Sequence, residues 1–252
     1  MNKTVLITGA TSGIGEACAH QFAVAGYNII ITGRRQQQLT ALQQLITSKY
    51  HVMCIDLCFD VQHNEQVTAA IASLPVAWRS IHVLINNAGL ALGRAYFDDA
   101  DMADWEVMIN TNVKGLLYVS KAVIPYMIQS GHGHIINIGS VAGKEVYEKG
   151  NVYCATKHAV DAITKAQRID LVRHGIKVTA IHPGAAETEF SVVRFKGDTA
   201  TASTIYNGWQ PLQAADVAQV IYYTTTLPSH VCINDIVLTS TQQANATIIH
   251  KG

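Results

Sequence analysis

Tyr153 and Lys157 stand four residues apart at the start of a helical stretch, and Ser140 stands thirteen residues before Tyr153 at the end of an apolar run. Residues four apart share one face of a helix, so the Lys157 ammonium can lie close to the Tyr153 phenol. A free tyrosine titrates near ~10, and a neighbouring cation favours the phenolate, which would bring Tyr153 toward the pH at which it can exchange protons with a substrate. Ser140 could hydrogen-bond the same substrate oxygen. A tyrosine and a lysine at this spacing also occur by chance in many proteins, so their meaning depends on the elements that carry them.

Those elements alternate. Apolar strand-like runs at 3–8, 27–32, 51–59, 82–86, 134–139, 177–182 and 235–239 are separated by helical stretches near 13–25, 35–47, 63–73, 101–129, 151–174 and 213–226. Strands that read as continuous apolar runs between helices predict a parallel sheet covered on both faces, an α/β doubly wound arrangement. With 252 residues the chain can bury a sizeable core, and one domain spanning 1–252 is expected. The least regular stretch, 184–212, follows a strand end, where open α/β sheets bind ligands, and is the candidate substrate lid.

The first strand runs into Gly9, Thr11, Ser12, Gly13, Ile14 and Gly15. Three glycines at a strand-to-helix turn let the backbone approach a pyrophosphate, which the helix N-terminus stabilises through its open N–H groups and dipole. The spacing is Gly-x-x-x-Gly-x-Gly rather than the common Gly-x-Gly-x-x-Gly, and a glycine-rich turn can also be purely structural. At the end of the second strand stand Arg34 and Arg35, with no carboxylate. An acidic residue there would hold the ribose 2′-hydroxyl of NAD, whereas arginine accommodates the 2′-phosphate of NADP. Asp60 and Val61 close the third strand beside the expected adenine, although a solvated aspartate explains Asp60 as well. The fourth strand ends in Asn86, Asn87, Ala88 and Gly89, which can hydrogen-bond a cofactor or brace the sheet; both roles stay open. Asn112 falls mid-helix, where asparagine is a poor helix former, and is either a tolerated surface residue or a polar group turned inward.

Composition narrows the remaining classes. Hydrophobic residues make up 49% and charged residues 14%, and eighteen basic residues balance eighteen acidic ones, so no net field recruits nucleic acid or an anionic membrane. No apolar stretch approaches the ~20 residues of a membrane span. Five scattered cysteines favour free thiols and a cytoplasmic setting; Cys54 and Cys58 lie on one strand, ~13 Å apart, too far for a disulfide. The histidines form no ligand set and no Gly-x-Ser-x-Gly elbow is present, so neither metal nor acyl-enzyme chemistry is expected.

Taken together and in this order, the 8–15 turn, Asn86–Gly89, Asn112, Ser140, Tyr153, Lys157 and the Pro183, Gly184 to Thr188 segment resemble the short-chain dehydrogenase/reductase family over the full chain. Within it the likeness is to the NADP-dependent 3-hydroxy acid (serine or allo-threonine) dehydrogenases, carried by NNAGLALG (86–93), HGHIINIGS (132–140), GNVYCATK (150–157), TEFSVVRFKGD (188–198) and LPSHVCIN (227–234). The resemblance implies a Rossmann-type seven-stranded parallel sheet and a homotetramer. It makes Tyr153 the general acid/base, Lys157 its partner and a ligand of the nicotinamide ribose, Ser140 the group orienting the substrate oxygen, and Asn112 the holder of a water leading from Lys157. Pro183, Gly184 and Thr188 belong, by the same likeness, to the NADP site. A carboxylate substrate needs a cation, and Arg194 in the lid is the candidate because a guanidinium grips a carboxylate bidentately; a surface arginine on a loop is the alternative. Tyr147 is the expected pocket neighbour. Lys144, Glu145, Val146, Glu148 and Lys149 depart from the relatives around that pocket and leave the exact substrate open, with another carbonyl compound or a non-catalytic NADP sensor as the other readings.

Overall fold

The computed structural model describes residues 2–252. The order of elements is β1 (Thr4–Ile7), α1 (Gly13–Val24), β2 (Asn28–Gly33), α2 (Gln36–Tyr50), β3 (Cys54–Cys58), α3 (Asn64–Ala72), β4 (Val83–Asn86), α4 (Met102–Ile109), α5 (Leu116–Ser130), β5 (His134–Ile138), α6 (Asn151–Leu171), β6 (Lys177–Pro183), β7 (Ala186–Glu187), α7 (Phe190–Arg194), α8 (Thr199–Thr204), β8 (Leu212–Gln213), α9 (Ala214–Thr225) and β9 (Asp235–Leu238). Seven strands form one parallel sheet in the order β3-β2-β1-β4-β5-β6-β9, while β7 and β8 pair as a separate two-stranded unit.

Burial on both faces explains the apolar runs. Val5 and Ile7 of β1 and Ile29 and Ile31 of β2 point into one core with Cys18, Phe22, Leu39, Ile46, Val217 and Ile221 from α1, α2 and α9. The intervening Leu6 and Ile30 point the opposite way, to Val67, Ile71, Val119, Val123 and Met127 from α3 and α5. Alternate residues serve opposite cores, so the middles of β1 and β2 are apolar on both faces. The strand order reverses between β1 and β4, and the carboxyl ends of the strands on either side of that switch point carry the residues singled out above.

Two segments differ from the sequence expectation. The helix expected over 101–129 is capped at its start by Asp101, whose side chain accepts the Ala103 N–H at 2.9 Å, but it is interrupted by a π-helical turn at Asn110–Gly115. The wider turn absorbs residues that a uniform helix cannot turn inward, and Asn112 lies inside it. The stretch 184–212 is not irregular: it carries β7, α7, α8 and β8. No helix of the described residues is long and apolar enough to cross a membrane, and all five cysteines are free.

Candidate active site

The β1–α1 turn is built around the absence of side chains. Gly9 and Gly13 take φ of +64° and +56°, the left-handed region that favours glycine, and a Cβ on Gly9 would sit 3.0 Å from the Ala88 backbone. A Cβ on Gly15 would overlap the Gly9 carbonyl and lie 2.5 Å from Asn87 Nδ2. Asn87 and Thr8 hold the turn in place: Asn87 Nδ2 donates to the Thr8 and Gly9 carbonyls at 2.9 and 3.1 Å, and Thr8 Oγ1 accepts the Asn87 and Ala88 N–H groups at 3.0 and 2.9 Å. Asn87 therefore braces the sheet, and Gly13 packs against Thr188 of the segment after β7. The result is a backbone cradle at the N-terminus of α1, whose Ser12 makes no side-chain cap. Gly15→Ala is expected to raise the dissociation constant for a dinucleotide about tenfold or more by pushing this cradle outward, measured by calorimetric titration; unchanged affinity would show that the close approach is not needed.

The cradle opens into one cavity of about 630 Å³. Gly9, Thr11, Ser12, Ile14, Arg34, Arg35, Asp60 and Val61 line one end; Asn87, Ala88, Gly89, Pro183, Gly184 and Thr188 line the middle; and Ser140, Tyr147, Tyr153, Lys157 and Arg194 line the other end. Gly13, Gly15 and Asn112 stand behind the wall. The arginines after β2 are tethered to neighbouring groups. Arg35 donates to Thr11 Oγ1 and the Thr11 carbonyl and pairs with Glu189 at 3.0 Å, and Arg34 pairs with Asp60 at 3.4 Å.

At the other end Tyr153 and Lys157, both buried, occupy the first two turns of α6. Ser140, just beyond β5, accepts the Ala142 N–H on its Oγ at 3.1 Å, which leaves its own O–H to donate into the cavity. Lys157 Nζ donates to the Ile138 carbonyl at 2.8 Å and lies 6.0 Å from the centre of the Tyr153 ring. The expected lowering of the phenol by Lys157 is not what this geometry shows. Burial pushes the Tyr153 phenol up, with the Tyr147 phenol adding to that, and the groups that oppose it are Ser140 and Arg194. Burial likewise lowers Lys157, to about 8. Withdrawal from water outweighs an ammonium that is not in contact with the phenol.

Asn112 is turned inward. Its Oδ1 accepts the Leu90 N–H at 2.8 Å, and its Nδ2 donates to the Leu90 carbonyl at 2.8 Å and to Thr156 Oγ1 at 3.0 Å. Both amide protons are thus engaged by protein, and the side chain ties the segment after β4 to α6 rather than offering a donor to water.

Arg194 ends α7 above the same floor. Its Nη1 donates to Tyr147 Oη at 2.9 Å, its Cζ lies 5.6 Å from the ring centres of both Tyr147 and Tyr153, and its carbonyl accepts the Gly93 N–H at 3.0 Å. Its Nε is buried with no hydrogen-bond partner among the described residues. An unsatisfied buried N–H beside two phenols marks a place for an acceptor. Phe190 covers Tyr153 from above, ring centres 5.7 Å apart.

Sequence reasoning did not single out several residues that line this cavity. Arg94, Phe190 and the C-terminal Gln243, Ala246, Thr247 and Ile249 all contribute, and Gln243 Oε1 accepts the Ala185 N–H at 2.9 Å. The C-terminal tail carries no periodicity or motif, so only the fold brings it there. Gly184 had a signal: a Cβ on it would overlap the Gln243 side chain.

The comparisons with known proteins agree with this geometry. Residues 3–198 match the short chain dehydrogenase family. The chain is 46% identical to sulfoacetaldehyde reductase 2 of Chromohalobacter salexigens over 97% of its length and 96% of that protein. It is 42% identical to the NADP-dependent 3-hydroxy acid dehydrogenase YdfG of Escherichia coli K12, over 98% and 99% respectively. Among solved structures, the closed form of a serine dehydrogenase complexed with NADP⁺ superposes with a TM-score of 0.92 at 42% identity, covering 99% of this chain and all of that one. A seven-stranded parallel sheet, a glycine cradle at its switch point and a Ser-Tyr-Lys group facing one cavity accompany these likenesses: the chain belongs to the short chain dehydrogenase family.

Proposed function

We propose that this protein is an NADP-dependent oxidoreductase that moves a hydride between the cofactor and C3 of a short 3-hydroxy acid of the serine, allo-threonine or 3-hydroxypropionate type. Arg194 carries the anionic part of this reading, because a guanidinium with an unsatisfied buried N–H lies 5.6 Å from the Tyr153 ring. The glycine cradle fits a pyrophosphate, and Arg34 and Arg35 at the end of β2, with no carboxylate at the β2 terminus, fit a 2′-phosphate. The cofactor, when bound, supplies or takes the hydride.

The remaining work falls to side chains. Ser140 donates its O–H to the substrate oxygen, and Tyr153 holds or takes the proton of that oxygen. The phenol stands in the first turn of α6, where the positive end of the helix dipole favours the phenolate when the proton leaves. Lys157, anchored on the Ile138 carbonyl, would hold the nicotinamide ribose of the bound cofactor through its ammonium. Arg194 binds the anion, and Tyr147, which accepts from Arg194 and keeps its own O–H, adds a second donor. Phe190 and the rest of 184–212 exclude water as a lid on a single 1–252 domain.

A second reading shares every step but the anion. The 46% identical relative is named for sulfoacetaldehyde, and the donors around Arg194 suit a sulfonate as well as a carboxylate. Absorbance at 340 nm with NADP⁺ and NAD⁺ against L-serine, L-allo-threonine, 3-hydroxypropionate and 3-hydroxyisobutyrate, and with NADPH against sulfoacetaldehyde, separates the two. Arg194→Ala is expected to raise KM for the accepted anion by about 10²-fold with little change for an uncharged alcohol. An unchanged KM removes Arg194 from substrate binding. Exposed Ile109, Leu117, Ile128 and Ile169 on α4, α5 and α6 support a homotetramer formed through these helices, and the five free thiols support a cytoplasmic setting.

A further inference from the structure

Behind the cavity, on the far side of Ser140 from the substrate space, lies a group of charges that the mechanism does not use. His182, wholly buried on β6 just before Pro183, is at its centre. Its ring fills the space above Gly139, where any Cβ would overlap the imidazole. Nδ1 lies 3.3 Å from the Ser140 carbonyl oxygen, and Nε2 lies 3.4 Å from Asp235 and 3.6 Å from Asp161. Lys144 bridges the same two carboxylates, at 2.6 Å to Asp161 and 3.5 Å to Asp235. Lys165 and Arg168 pair with them from outside, at 2.6 and 3.5 Å. Three groups of metal-ligand type converge here, but the Lys144 ammonium already supplies the cation.

We infer that His182 is a positioning residue for Ser140: close packing on Gly139 seats the imidazole, and the imidazole fixes the Ser140 main chain. The Ser140 carbonyl and the two carboxylates are all acceptors, so a neutral ring donates to one side only; the contact with Ser140 takes the proton on Nδ1 and leaves Nε2 without one, beside carboxylates whose charge Lys144, Lys165 and Arg168 offset. Burial and Lys144 both hold the ring below the usual histidine range, which keeps a single ring proton at neutral pH. The Ser140 carbonyl also accepts the Gly143 N–H at 2.8 Å while its Oγ accepts the Ala142 N–H. With the tight turn on one side and His182 on the other, the serine hydroxyl has little room to wander. A displacement of about 1 Å at a catalytic group costs on the order of 10²-fold in rate.

This inference rests on the role proposed for Ser140, and a double-mutant cycle separates the two, run on the holoenzyme with whichever of 3-hydroxypropionate or sulfoacetaldehyde it turns over. His182→Leu is expected to lower kcat by about 10- to 100-fold with the NADP dissociation constant within twofold of the parent. His182→Asn, which retains an N–H near the Nδ1 position, is expected to stay within about threefold of the parent. In a Ser140→Ala background His182→Leu should cost nothing further. Should the leucine variant not fold, His182→Gln, which keeps a polar group toward Asp235 but loses the Nδ1 donor, takes its place in the cycle. Equal losses in the asparagine and leucine variants, or a full additional loss in the Ser140→Ala background, would overturn the positioning role. If Ser140→Ala alone leaves kcat unchanged, the catalytic reading of Ser140 falls first and this one with it.

Discussion

Tyr153→Phe is expected to lower kcat by about 10³-fold or more, while the NADP dissociation constant stays within twofold of the parent. The substitution removes one oxygen from a side chain that is 8% exposed and leaves the ring in place against Phe190 and under Arg194. Packing is thus retained and only the proton-carrying atom is lost. General acid/base groups contribute typically 10²–10⁴-fold, and no other titratable side chain with an O–H stands on the first turn of α6. Tyr147 is the other phenol of the cavity, and the bond it accepts from Arg194 at 2.9 Å commits its O–H to the anion held there rather than to the reacting oxygen. Steady-state kcat beside a direct cofactor titration decides the matter. A protein that binds NADP without turning anything over would show no change in either quantity.

Lys157→Met is expected to abolish most turnover and yet raise stability. Burial lowers the Lys157 ammonium from 10.5 to about 8, so between those values the unfolded chain binds more protons and stability climbs with pH. Below pH 8 the folded protein carries the charged form at its full cost, on the order of 3 kcal/mol; above 10.5 the cost is gone. Methionine matches the length of the stem without the charge. After loss of the bond to the Ile138 carbonyl, a net gain of about 1–2 kcal/mol remains, which corresponds to roughly 3–6 °C in Tm at pH 7 for a chain of this size. Turnover should fall by about 10²-fold or more, because the cation that would hold the nicotinamide ribose is lost. Thermal unfolding by circular dichroism at pH 7 and 10 tests both signs: a lower Tm in the variant would mean that the buried ammonium stabilises the fold.

The parts of this site that were readable from the chain are those set by local rules. Gly9, Gly13 and Gly15 announce a backbone that tolerates no side chain, and Tyr153 and Lys157 share a helix face whatever packs on it. Apolar runs alternating with helical stretches foretold the sheet because its inner strands are buried on both faces. Other properties depend on partners far away in sequence. The direction of the Tyr153 shift is set by how deeply α7 and Phe190 bury the phenol, and Arg35 is tied to Glu189, 154 residues on. The ordered pieces within 184–212 were invisible because β7 and β8 are two residues each, too short for any pattern to register. His182 ends an apolar strand, and only the fold shows that its ring is seated on Gly139.

The π-helical turn at Asn110–Gly115 has a bearing on how the long rod between β4 and β5 is to be read. A helical wheel drawn through 102–130 at a uniform ~100° per residue loses phase at Asn112, because the wide turn spends extra residues on one revolution. Met108 upstream packs with Leu90, Ala91 and Tyr153, while Val119, Val123 and Met127 downstream pack with Leu6 and Ile30, so the slip lets two stretches with separate apolar stripes face two different clusters. The rod is a splice of two helices, and at the joint a carboxamide turns inward between one apolar stripe and the next.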